Sequence, residues 1–188
     1  GPSGVVEVLV TYEEPTPQDV VEQLGARKAD ALNTLEMLRA QRANVVEASS
    51  KFENPNAVLE YLDFFIPAFE EVVAELDRIS AAVVVRVQRT HIDVLRQVAA
   101  NCRTEQRRCL MFRDKCINRP LPHETMRPLL NDISVTTRDQ LTAFFDLNSA
   151  AAKLERIINT TQPEPEPDPK RVLGRRQLFT SLFKLPKD

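Results

Sequence analysis

Apolar residues recur every three or four positions through most of this chain, in four long blocks separated by prolines or by a break in the pattern. The first block opens at Thr16-Pro17-Gln18-Asp19. Thr16 can cap, Pro17 suits the first helical position, and Asp19 favours the positive end of the helix dipole. Val21, Leu24, Ala31, Leu35, Leu38 and Val45 follow at helical spacing, which predicts a helix to about Lys51, roughly 50 Å long. Asn54-Pro55 repeats the cap-plus-proline signal, and Val58, Leu62, Phe65, Phe69, Val72, Leu76, Ile79 and Val83 line the next helix. Pro67 falls inside it, so a kink or break is expected there.

From Ala68 to Arg119 there is neither Gly nor Pro. Thr90-His91-Ile92-Asp93 fits a capping-box pattern, which places a turn near residues 87 to 91 and a third helix to about Asn118. Arg119-Pro120-Leu121-Pro122 breaks the pattern again. A fourth helix is expected from about His123 to Asn159, with Met126, Leu130, Ile133, Leu141, Phe144, Ala151, Leu154 and Ile158 on one side. Four long amphipathic helices with short joints predict an all-α antiparallel bundle over residues 16–161, with coiled-coil-like pairing. Residues 1–15 form an extended arm in this reading. Within it, Val5–Tyr12 (VVEVLVTY) is strand-like and could add to the edge of a partner's sheet.

Beyond the bundle, residues 162–170 form a proline-acid linker, expected to be extended. Residues 171–188 form a basic amphipathic tail. From Lys170 onward there are six Lys or Arg, among them Arg175 and Arg176, against one Asp; Leu178, Phe179, Leu182, Phe183 and Leu185 give it an apolar side. Such a tail can dock in a partner's groove, lie on an anionic membrane, or fold back on its own bundle.

Composition narrows the chemistry. The chain has 188 residues, 43% hydrophobic and 28% charged, enough to bury a core. Its four glycines leave Ala26–Leu173 without any, so no phosphate-cradling loop or dinucleotide fingerprint can be built. A formal net charge of −2 gives no field for nucleic acid. No apolar run reaches the ~18 residues of a bilayer span, and no secretory signal is evident. Gly1-Pro2 reads as what a protease cut leaves. Three cysteines, an odd number, fit a reducing cytoplasmic compartment.

Cys102, Cys109 and Cys116 are spaced by seven, one stripe of one helix with neighbours about 10.5 Å apart. That spacing disfavours intrahelical disulfides and zinc and fits small residues in a bundle seam. His91 sits at a helix start and His123 in a proline-rich joint; Glu13-Glu14 and Glu70-Glu71 are adjacent and do not face each other on a helix. No catalytic, cofactor or metal signature follows. Charge is uneven: seven acids and one Arg lie between Phe52 and Ala82, and eight Arg or Lys with three acids between Arg86 and Lys115. Arg89, Arg96 and Arg103 recur every seven residues and Arg107 extends the row. They either fix helix pairing or form a docking face for an acidic partner.

Leu129-Leu130-Asn131-Asp132-Ile133, after a proline-containing joint, resembles part of the N-terminal bundle of cyclase-associated proteins and, more loosely, focal-adhesion-type bundles. The Gly-Gly and Trp signatures of the first family are absent, so no residue roles are carried over. Arg176-Gln177-Leu178-Phe179 is similar to the Arg-x-Leu-Phe motif that kinase substrates present to cyclins, a match of four residues. The function expected from these features is a non-enzymatic interaction module, an adaptor or scaffold subunit that binds protein partners through helix faces and its tail. Self-association is open. The alternative is a peripheral membrane-associated scaffold using the same tail.

Overall fold

The computed structural model describes residues 13–52, 55–117 and 127–161. The strand-like arm, the joint holding His123 and Met126, the linker and the tail with Arg175, Arg176, Leu178, Phe179, Leu182 and Phe183 lie outside the described residues. Among the described residues the chain forms helices α1 (Pro17–Glu47), α2 (Pro55–Val83), α3 (Arg89–Ile117), α4 (Arg127–Ala143) and α5 (Leu147–Thr161), with 3-10 turns at Ser49–Lys51 and Phe144–Asp146 and no strand. The protein is all-α and its helices pack as a bundle. None of the described helices is long and apolar enough to cross a membrane.

Local chemistry sets most of the boundaries. Thr16 Oγ1 accepts from the Asp19 amide at 3.2 Å while Asp19 Oδ2 accepts from the Thr16 amide at 2.9 Å, a complete capping box ahead of Pro17. The turn between α2 and α3 falls at residues 84–88, slightly earlier than the expected 87–91. Thr90 is already helical. The capping is done by His91, whose Nδ1 accepts from the Gln88 amide at 3.1 Å, in the place where a capping box usually puts Glu. α2 runs through Pro67 without a break. Phe65, Ile66, Ala68 and Phe69 are buried around it, while Pro67 itself faces solvent, where water can serve the carbonyl left without a donor. The expected fourth helix is present with continuous helical backbone from Arg127 to Thr161, tightened at Phe144–Asp146 into a 3-10 turn that divides it into α4 and α5. The 3-10 turn between them buries Phe144 and presents Asp146 to α1, where it accepts from Gln23 Nε2 at 2.9 Å.

Interhelical contacts fix an up-down-up-down order. Arg42 meets Asp63, Arg39 meets Glu70 and Lys28 meets Asp77, so α1 and α2 are antiparallel. Thr34 Oγ1 donates to Gln140 Oε1 at 2.7 Å, and Lys153 Nζ donates to Gln23 Oε1 at 2.9 Å, so α4 and α5 run back along α1. Gln106 Nε2 donates to Thr142 Oγ1 at 2.8 Å, and Glu155 receives Arg96 at 2.5 Å, so they run back along α3 as well. α2 and α3 approach each other least closely of the neighbouring pairs.

Every apolar position named for the second block is buried, as are Leu24, Ala31, Leu35, Leu38 and Val45 of the first. Val20 is buried in preference to Val21, which packs half-covered at the edge. A ladder of rings runs through this core. Tyr61, Phe65 and Phe69 follow at four-residue intervals along α2, with centroids 4.8 and 5.6 Å apart. Phe112 of α3 stacks on Tyr61 at 3.9 Å, and Phe144 meets Phe69 edge-on at 5.9 Å. Phe69, fully buried between Phe65 and Phe144, should be costly to truncate. Phe69→Ala is expected to lower unfolding stability by about 3–5 kcal/mol, read from urea denaturation.

Candidate functional site

The wide spacing of α2 and α3 opens a groove of about 590 Å³ between the first turns of α2 and the last turns of α3. Its floor is aromatic. The Tyr61 ring lies against Phe112 with 17° between the planes. The Tyr61 hydroxyl points into the core and donates to Cys109 Sγ at 3.2 Å. Ser134 Oγ donates to the carbonyl of the same cysteine at 3.2 Å, which ties α4 to this level of the bundle. Burial holds the Tyr61 phenol well above its usual range and pushes the Cys109 thiol up to about 11; the Cys102 thiol is raised further by the same cause. Both thiols are free, buried and protonated at neutral pH, so they are packing groups here rather than nucleophiles.

Along the wall, Arg108 bends over the Phe64 ring with its guanidinium carbon 3.8 Å from the centroid. Arg108 Nε donates to Glu105 Oε2 at 2.7 Å, and the pair is about nine-tenths covered. Burial raises the Glu105 pKa above its ordinary value, and the hydrogen bond from Arg108 opposes that shift. Nη2 of Arg108 is buried without an acceptor, a state that costs about 1–3 kcal/mol for a polar group. Met111 stands on the rim with 71% of its surface exposed. Glu60 and Asp114 also border the groove and have no ion-pair partner among the described residues.

The row of arginines picked out by spacing is divided by the fold. Arg89 and Arg96 both reach Glu155 of α5, at 3.6 and 2.5 Å, and hold its pKa below the ordinary carboxylate value, Arg96 most strongly. Arg103 lies over Phe145 at 5.5 Å. These three work between helices. Arg107 borders the groove and is exposed. The seven-residue spacing did not single out Tyr61, Phe64, Glu105 or Arg108. The available signal was the four-residue interval Tyr61–Phe65–Phe69, which widens the apolar stripe of α2 toward α3.

A second hollow, bordered by Glu13, Asp19, Glu22, Gln23, Lys153 and Arg156, is polar and lies at the start of α1. Two of its cations are engaged: Lys153 donates to Gln23 Oε1 at 2.9 Å and Arg156 meets Glu14, just outside the hollow, at 3.1 Å. Among the described residues no group of three or more His, Cys, Asp or Glu side chains could hold a metal ion.

Two outcomes follow from the buried groups. A carboxyl whose folded pKa lies above its unfolded value binds more protons in the native state, so it weakens folding progressively as pH rises through that interval. Glu105→Gln removes the effect, and its stability relative to wild type should increase from pH 4.5 toward neutrality in paired urea titrations. Separately, a Cys116→Ser chain should react slowly with Ellman's reagent at pH 8 while folded. Both remaining thiols should react at once in denaturant.

No protein-family model, curated protein or solved structure matches the chain.

Proposed function

We propose that the chain is a non-enzymatic protein–protein interaction module, an adaptor or scaffold subunit of a cytoplasmic assembly. Its α2–α3 groove takes a short basic amphipathic segment with aromatic or aliphatic anchors. The observation that carries this reading is the aromatic floor of Tyr61, Phe64 and Phe112 opening to the surface beside an otherwise closed core. A groove of this shape suits a helix laid in by its apolar side, and the two rim acids Glu60 and Asp114, which outnumber the exposed Arg107 on the same border, favour Lys or Arg flanking the anchors. The basic tail supplies a second contact, for a partner with an acidic surface. The cytoplasmic placement is supported by the free, buried thiols of Cys102 and Cys109, which need no oxidising compartment.

A displayed library of short peptides, selected on the full chain, tests this reading. The selection is run on wild type and on a chain with Phe179 and Phe183 changed to Ser, so that the tail's own anchors do not compete. Enriched peptides should pair an aromatic or aliphatic anchor with Lys or Arg and bind at least tenfold more weakly to Met111→Lys. Because Met111 is exposed, that variant should unfold within about 0.5 kcal/mol of its parent. Failure to enrich, or peptides indifferent to Met111→Lys, would remove the groove as a docking surface.

A further inference from the structure

We propose that the groove's first occupant is the chain's own C-terminal segment, Leu178–Phe183, so that the groove and the tail mask each other until a partner competes. This rests on the docking reading of the groove given above, and three observations carry it.

The first is reach. α5 ends at Thr161, beside the start of α3, where Glu155 meets Arg89. From that level to Arg108 is nineteen helical residues, about 28 Å. Crossing the end of the bundle from α5 to α2 adds about 14 Å, the diagonal between helix axes about 10 Å apart. Residues 162–177 number sixteen and carry Pro163, Pro165, Pro167 and Pro169. At a polyproline rise of about 3.1 Å per residue they span about 50 Å, enough to bring Leu178 to Phe64.

The second is charge. Glu71 lies three turns beyond Glu60 on the same stripe of α2, and neither has an ion-pair partner among the described residues. A tail arriving from the α5 end carries Arg171, Arg175 and Arg176 past Glu71 before its apolar residues reach the groove. Lys184 then follows them toward Glu60 and Asp114. The order of basic and apolar residues in the tail thus matches the order of acidic and apolar residues on the surface.

The third is chemistry. The anchors Leu178, Phe179, Leu182 and Phe183 are spaced to share one side of a short helix, and the groove offers Phe64, Phe112 and Met111 to receive them. Tethering strengthens a weak fit. At an effective concentration on the order of 1 mM, a segment with a free-peptide Kd of about 100 μM is bound roughly ten to one.

The test uses a fluorescein-labelled peptide of residues 170–188 and three full-length chains: wild type, the Phe179→Ser/Phe183→Ser variant, and that variant with Met111→Lys. The peptide should bind the Ser variant in the micromolar range, bind wild type at least tenfold more weakly, and lose at least tenfold with Met111→Lys. No binding to the Ser variant overturns the proposal. If library peptides still bind there through Met111, the groove remains a docking surface and only the tail assignment falls. Equal binding to wild type and the Ser variant also overturns it. So does a wild-type dimer that the peptide dissociates, since the tail would then occupy a neighbour's groove. Pelleting of wild type with anionic vesicles, without peptide binding, overturns it by assigning the tail to a lipid surface.

Discussion

The ladder of rings from Phe112 through Tyr61, Phe65 and Phe69 to Phe144 sets the form of this molecule. Aromatic pairs contribute about 0.5–1.5 kcal/mol beyond the area they bury, but their larger effect here is spacing. Rings on the α3 side of α2 keep those helices apart while α1, with Leu, Val and Ala on its buried side, draws close to α2. One seam of the bundle is therefore wide, and its lower end is not filled by side chains from within. The core and the groove have the same cause.

Polar contacts refine that arrangement rather than drive it. Most of the ion pairs between helices join side chains a third or more exposed, where each contributes a few tenths of a kcal/mol up to about 1. Their value lies in register, since each matches one level of a helix to one level of its neighbour. The covered pair Glu105–Arg108 differs. It lies at the groove, its carboxyl suffers from burial, and one guanidinium nitrogen is unsatisfied.

Much of the helical plan was legible in the residues. Every α2 position that helical spacing singles out is buried, although the equally buried Tyr61, Ile66 and Ala68 are not among them, and the helix start at Thr16-Pro17 was readable as a cap followed by proline. The joint inside the fourth block was not. Phe144-Phe145-Asp146 contains no Gly or Pro, and the turn there is tightened by tertiary demands: Phe144 entering the core and Asp146 reaching Gln23. Pro67, by contrast, lies within α2 without breaking it, because packing on both sides of it outweighs one lost hydrogen bond. The groove was hidden for a related reason. Tyr61 and Phe64 sit at the margin of an apolar stripe, and Arg108 reads as one more surface cation until its place over Phe64 is known. A gap between two helices depends on side chains from both, and no single stretch of sequence encodes it.

The wide α2–α3 seam can be checked without any partner, by through-space proton NMR on the full-length chain. The ring protons of Tyr61 should show strong cross-peaks to Phe112, Phe69 should show them to Phe144, and the Arg108 side-chain protons should be shifted upfield by the Phe64 ring. Missing Tyr61–Phe112 and Phe69–Phe144 cross-peaks, with Arg108 at unshifted positions, would contradict the ladder and the groove built on it.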